Sequence, residues 1–454
     1  MSDSLCVAVV GSGPAGFYAA DALLKSEDPT VEVDLIDRLP TPWGLVRLGV
    51  APDHENIKAV SRAFEKIAAK PGFRFFGNVE VGSSVSHEEL LQIYDAVVYT
   101  VGAQTDRRLG IPGEDLPGSW AATEFVAWYN GHPDFQDRKF DLSHERVVVI
   151  GNGNVAIDCA RMLALSPEEL APTDTTPAAI DAINAAGVRE ILMLGRRGPV
   201  QAAFTPPELK ELGELAGADV IVDPADLELD PASERELEDD RERARRNIEL
   251  LAEYAPRAPR GKPRRIVLRF LASPVAILGA DRVEGVEVVR NELVEEDGRI
   301  VARPTGEQEV IPAGLVLRSV GYKGVALPGV PFDERSGTIP NARGRVAGAE
   351  RTYAAGWIKR GPSGVIGTNK KDATETVELL LEDARAGRLA RIGPDATQTL
   401  AALLAKRGAT YVPYEGWQAI DAAERAAGEP LGRPRVKLTD WEELLETGGE
   451  KITR

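Results

Sequence analysis

Two stretches of this 454-residue chain have the residue types that hold phosphate through the backbone. The first is Gly11-x-Gly13-x-x-Gly16, entered from the apolar run 7–10. The second is Gly151-x-Gly153-x-x-Ala156, entered from the apolar run 147–150. Glycine lets a strand turn sharply into a helix and lets the backbone approach a pyrophosphate, while the helix N-terminus presents unpaired N–H groups and the positive end of its dipole. The two turns differ in the charge downstream of them. Asp37 closes the strand after the first, where a carboxylate about 20 residues downstream accepts hydrogen bonds from a free ribose diol and repels a 2′-phosphate. Arg196 and Arg197 close the strand after the second, where paired guanidiniums hold that phosphate bidentately. These signs imply two dinucleotides of different kinds: a plain adenosine, as in FAD or NAD, at the first turn, and NADP at the second.

A third constellation is the loop 356–368, which carries Trp357, Gly361, Gly364, Val365, Ile366 and Gly367 ahead of a helix. A helix N-terminus beneath a flavin ring would stabilise the negative charge that builds at N1 and O2 on reduction. The glycines would let the backbone approach the ring, and Trp357 could pack against it. The plain alternative is a surface tryptophan beside an ordinary turn.

The elements that must position these residues are legible in the patterning. Residues 5–37 read as a βαβ unit, with strands over 6–10 and 31–36 around a helix over about 15–25. A Pro- and Gly-rich loop leads to a helix over 55–69, and a strand over 96–101 ends at Gly102. The second βαβ unit starts at Arg146 and returns at 190–194, delayed by the polar segment 166–187, which reads as a surface insertion. Next come helices over 207–215 and 232–254, strands over 265–270, 283–289 and 314–320, and a helix over about 369–384. The aromatics Tyr411, Tyr414, Trp417 and Trp441 in the tail suggest packing onto the body.

Composition excludes several classes. A net charge of −17 gives no support for nucleic-acid binding. No apolar stretch reaches the roughly 18 residues that span a bilayer, and the start lacks a secretory signal, so the expectation is a cytoplasmic protein. Cys6 and Cys159 form no CxxC, which argues against a flavin disulfide reductase, and no cluster of four cysteines is present to hold an iron–sulfur centre. No metal site is implied. One basic stretch, 241–269, stands out against the acidic background and includes Arg241, Arg243 and Arg245. It is either a solvated helix with a basic loop or a docking site for a small acidic protein.

Read together, the segments GSGPAGFYAADALL, PTPWGLVRLGVAPDH, TVGAQTDRRLGIPGEDLPG, VVVIGNGNVAIDCARML, GRRGPVQAAFTPPELKEL and GWIKRGPSGVIGTNKKDA resemble the adrenodoxin reductase type of ferredoxin–NADP(+) reductase, in its bacterial branch. The resemblance runs from Leu5 to about Leu380. It implies an α/β fold of two Rossmann-like domains, the NADP domain (106–330) inserted into a discontinuous FAD domain (1–105 and 331–454). It also implies FAD contacts at Ala15, Asp37 (where the family usually has Glu), Leu45, Val81, Trp357 and the backbone of Gly364, Val365 and Ile366. For NADP(H) it implies Arg107, Asn152, Gly153, Asn154, Val155, Arg196, Arg197, Glu208 and Gly364. His54 and Glu211 match residues that the family places near the flavin–nicotinamide contact; by residue type alone they are a loop histidine and a solvated helix residue. The implied activity is hydride transfer from NADPH to FAD and single-electron transfer from FAD to a ferredoxin, by a monomer. Two other readings stay open: an electron-input flavin subunit of a larger NADPH-dependent complex, and a non-catalytic dinucleotide sensor.

Overall fold

The computed structural model describes residues 4–239, 242–389, 392 and 399–450. They form two compact units, one made of Met1–Thr105 with Gly321–Arg454 and the other of Asp106–Val320.

In the first unit the apolar strand Leu5–Val10 pairs in parallel with Val31–Ile36 on one side and Ala96–Tyr99 on the other. Phe73–Phe76 and Thr352–Ala354 extend the sheet in parallel, and Arg345–Val346 and Asn341–Ala342 complete a seven-stranded sheet in antiparallel fashion. The central strand is apolar throughout because both of its faces are covered. Val7 and Val9 pack with Phe17 and Leu23 of helix Pro14–Leu24 and with Val377 and Leu380 of helix Thr368–Arg385. Ala8 and Val10, pointing the other way by the strand's period of two, join Leu90 and Tyr94.

The second unit repeats the theme. Its six-stranded sheet runs in the order Ser119–Ala121, Leu315–Arg318, Arg146–Ile150, Glu190–Leu194, Arg264–Arg269 and Ala218–Val222, parallel throughout. In both units the strand feeding the glycine turn is flanked by partners whose connections run in opposite directions. The crevice at its C-terminal end is therefore the switch point where open α/β sheets bind ligands.

Several sequence expectations are corrected. The segment 166–187 is no surface insertion: helices Pro167–Leu170 and Pro177–Asn184 bury Leu170, Ala179 and Ile183 in the core of the second unit. Its polar residues are used locally, since Ser166 and Thr176 cap the two helices and Thr173 bonds the Leu170 carbonyl at 2.8 Å. The helix expected over 55–69 is two, Glu55–Lys58 and Ser61–Ala68, and the one over 232–254 is also two, Pro231–Asp239 and Arg243–Tyr254. Arg241 lies between the latter pair, outside the described residues. The strand over 283–289 is the start of Gly285–Glu296, which forms a long hairpin with Arg299–Pro312 beside Ala272–Leu278. Asp297 and Gly298, at φ 50° and 71°, make its turn, the Asp-Gly pairing that left-handed two-residue hairpin turns favour.

Candidate dinucleotide sites

The first turn is built so that only glycine fits. Gly11 has φ +106°, and a Cβ there would lie 2.7 Å from the Thr100 carbonyl. Thr100 seals this contact, its hydroxyl donating to the Val10 and Gly11 carbonyls at 3.0 and 2.7 Å. At Gly16 a Cβ would sit 2.0 Å from the Gly11 oxygen, so helix and strand touch through bare backbone. Gly13 is different. A Cβ there would meet nothing within 4 Å, so it would project into open space at the N-terminus of helix Pro14–Leu24. That space, lined by helix N–H groups, is a cradle of the kind a pyrophosphate fills.

Asp37 sits directly beside this turn. Its Oδ2 accepts from the Ser12 N–H at 2.7 Å and the Ser12 hydroxyl at 2.6 Å, and its Oδ1 accepts from the Leu39 N–H at 2.9 Å. Burial pushes its carboxyl up despite these bonds. A carboxylate offers about four lone-pair positions. Three are used within the protein, which leaves room for a single bond to a ribose hydroxyl on Oδ1.

The loop after Asp37 closes over the turn. Trp43 donates its backbone N–H to the Ser12 carbonyl at 2.9 Å, and a Cβ on Gly44 would lie 2.9 Å from the Gly13 Cα. The third constellation arrives at the same place, since a Cβ on Gly356 would lie 2.6 Å from the Ala15 Cβ. The segment 356–364 is stapled to helix Thr368–Arg385. The Gly356 N–H donates to Asp372, Lys359 pairs with Asp372 and Glu375 at 3.0 and 2.8 Å, and Arg360 donates to Asn369 at 2.9 Å. Trp357 lies 5.4 Å from the Tyr322 ring and donates its indole N–H to the Ser363 carbonyl at 3.2 Å. Leu45 and Val365, implied as flavin contacts, are large apolar side chains left 37% and 64% exposed. An apolar ring system laid on them would cover that surface. Val81 is buried with Val79 and Val85, so its backbone is what it can offer a ligand. His54 is the loop residue at the N-cap position of helix Glu55–Lys58, and it is buried.

The second turn uses the same devices. Gly151 has φ +135°, and a Cβ there would lie 2.1 Å from the Ser319 oxygen; at Gly153 the nearest atom would be 3.9 Å away. Asn152 accepts from the Ala203 and Phe204 N–H groups at 3.0 Å each, and the Asn154 side chain accepts from the Thr205 N–H at 2.8 Å. Val155 begins the apolar side of helix Asn154–Ala164. The arginine pair is pinned through its carbonyls, Arg196 by the Asn291 amide at 2.8 Å and Arg197 by the Leu271 N–H at 3.1 Å. Desolvation, then repulsion from Arg196 and Arg243, lowers the Arg197 pKa against the opposing pull of Glu236. Mutually repelling cations on a fixed backbone suit a dianionic phosphate. Arg243 and Asn291 were not assigned here from sequence. The basic run signalled Arg243, but a lone polar residue in a strand gave no sign of Asn291.

Glu208 and Glu211 lie on helix Pro206–Leu212, where Glu211 is 3.7 Å from the buried Arg161, which also pairs with Asp158 at 2.8 Å. Arg107 is exposed. Much of the basic stretch 241–269 is engaged inside its own unit. Arg264 donates to the Leu165 and Ile183 carbonyls at helix C-terminal ends, at 2.9 and 3.1 Å; Arg265 pairs with Glu190 at 2.5 Å and Arg246 with Glu249 at 2.7 Å. Arg243 and Arg245 are exposed.

A family model described as pyridine nucleotide-disulphide oxidoreductase matches residues 6–171. The NADPH-ferredoxin reductase FprA of Mycobacterium tuberculosis is 53% identical over 451 residues, covering 97% of this chain and 98% of that protein. The chain belongs to the adrenodoxin reductase-type ferredoxin–NADP(+) reductases. The human mitochondrial NADPH:adrenodoxin oxidoreductase is 43% identical over 98% of this chain and 92% of its own. The solved structure of Mycobacterium tuberculosis FprA in complex with NADPH superposes with a TM-score of 0.94 at 52% identity, covering 98% of this chain and 99% of that one. This reductase is thus an FAD-dependent oxidoreductase with two Rossmann-like folds that works between NADP(H) and a ferredoxin. Its two cysteines, Cys6 and Cys159, form no CxxC pair, and Cys159 is buried.

Proposed function

We propose that the unit containing Gly11–Gly16 holds FAD and that the inserted unit, 106–330 by sequence, holds NADP(H). The observation that carries the division is the contrast between Asp37 beside the first turn and the Arg196–Arg197 pair beside the second. Ala15, Leu45, Val81, Trp357 and the backbone of Gly364, Val365 and Ile366 surround the flavin. Arg107, Asn152 to Val155, Glu208 and Gly364 serve NADP. Bound flavin supplies the conversion of a two-electron hydride into single electrons. The protein contributes orientation and a fixed field. Helix Thr368–Arg385 directs its N-terminus toward the segment 364–367 and stabilises negative charge there. By their match to the family's motifs, His54 and Glu211 would lie near the flavin–nicotinamide contact once both cofactors are bound.

The acceptor is an acidic iron–sulfur protein, since the chain holds two cysteines and no cluster of its own. We place its docking at Arg243 and Arg245, with Arg241, in a monomer of the cytoplasm. Two unpaired cysteines fit that reducing compartment. Among the described residues, no helix is long and apolar enough to cross a membrane. The test is a turnover assay with purified ferredoxins as acceptors. NADPH-driven ferredoxin reduction, with NADH far slower, is expected; no reduction of any ferredoxin by the flavin-loaded protein would contradict the reading.

A further inference from the structure

The last part of the chain lies beyond the motifs that identify the family, yet it holds one of them in place. The motif is the loop Pro42–Gly49, whose backbone is strained. Trp43 has φ +84° although it is a bulky residue, a conformation that persists only when its surroundings impose it. Gly44, at φ +50°, lies against Gly13 of the first glycine turn. The C-terminal segment supplies much of what imposes this geometry. Trp417 packs edge-on against Trp43 with ring centroids 4.9 Å apart. Glu424, fully buried, forms a two-pronged ion pair with the guanidinium of Arg47, on the short helix Leu45–Leu48 within this loop. Arg435 reaches the same carboxylate at 3.0 Å, the Leu438 N–H donates to it at 2.9 Å, and Lys437 donates to the Arg47 carbonyl at 3.2 Å. The segment is itself anchored beside the edge strand Phe73–Phe76, where Gly77 and Val412 exchange two backbone hydrogen bonds of 2.8 and 2.9 Å.

The loop is thus gripped from one side by buried charge while Leu45, two residues before Arg47, is 37% exposed on the other. We propose that residues 412–438 form a clasp that keeps the flavin-side loop closed over the first glycine turn, with Glu424 as its positioning residue. The inference rests on the assignment of FAD to that turn. A two-pronged carboxylate–guanidinium pair fixes direction as well as distance, which a packed apolar residue would not. Removing one partner leaves the other buried and unpaired, so the loop should open and not merely soften.

The test uses the FAD-loaded protein and its Glu424→Gln variant. Release of FAD, followed by the rise in flavin fluorescence, should be roughly tenfold faster or more in the variant. Amide exchange at residues 46–50 should rise while that of strand Leu5–Val10 stays unchanged. Equal release rates, or exchange raised uniformly across the first unit, would overturn the clasp. If Glu424→Gln does not fold, Lys437→Met decides: it keeps the ion pair and removes the bond to the Arg47 carbonyl, and faster release with local exchange supports the clasp, whereas unchanged release refutes it. A parent protein that takes up no FAD would instead refute the underlying assignment.

Discussion

At the scale of single residues, the nucleotide preference rests on Arg196 and Arg197. Their backbones are held by Asn291 and Leu271, so replacing both side chains with methionine should leave the fold intact and remove two charged contacts to the 2′-phosphate. Each contact should contribute about 1.5–3 kcal/mol, with the exposed Arg196 at the lower end because solvent screens it. NADPH affinity should fall steeply and NADH affinity hardly at all; titration calorimetry with both nucleotides checks this, and equal losses would remove the basis for the preference. Asp37 makes a second case. Asp37→Ala strips three hydrogen bonds from Ser12 and Leu39 and should weaken FAD binding at least tenfold, measured by apoprotein reconstitution. The sequence pointed to both positions because charge sign at a strand end is a local property. It did not disclose that Asp37 spends most of its bonding capacity on the protein, nor that His54 is buried, since both depend on what folds back from elsewhere.

At the scale of elements, the glycine turns are rigid joints. Gly151→Ala would place a methyl group 2.1 Å from the Ser319 oxygen at φ +135° and should abolish NADP binding while FAD content stays normal. Co-purified flavin together with nucleotide titration reads both effects. The C-terminal elements give a pH dependence. Burial alone would raise the Glu424 carboxyl, but Arg47, then Arg435, outweigh it and hold the pKa below its ordinary 4.5. A carboxyl with a lowered folded pKa stabilises fully above its unfolded value and loses that contribution as pH falls through the folded one. FAD retention should therefore be flat from neutral pH down to the ordinary carboxyl range and fall progressively in stronger acid, as followed by flavin fluorescence. The parallel strands and the helices after each turn were legible because buried strands are apolar throughout and glycines mark their ends. The segment 166–187 was misread because Ser166, Thr173 and Thr176 are polar in composition yet bond locally and bury. The hairpin Gly285–Glu296 with Arg299–Pro312 was half missed because much of its outer strand is solvated and carries no apolar run.

At the scale of the whole molecule, a chain of net charge −17 would repel the acidic partner proposed above except at a local basic surface. Arg264 is spent on the Leu165 and Ile183 carbonyls, whereas Arg243, Arg245 and Arg246 are exposed, and the docking proposed above draws on that exposed face. Reversing Arg243 and Arg245 to glutamate should raise the KM for ferredoxin, most at low salt, where screening is least. Arg243 also acts electrostatically on Arg197, so the Arg243→Glu single variant should weaken NADPH binding as well, whereas Arg245→Glu should affect ferredoxin alone. The division into an outer and an inserted unit was visible in the doubled glycine turns. Which members of the basic run turn inward was not, because a run of like charges in sequence does not say. The most direct measurement is an anaerobic titration of the purified protein with NADPH, followed in the visible spectrum. A yellow protein carrying one FAD per chain, bleached by about one equivalent of NADPH and far less readily by NADH, is the expected result. A colourless protein that takes up no FAD on reconstitution, or a flavin band that NADPH leaves unchanged, would contradict the account.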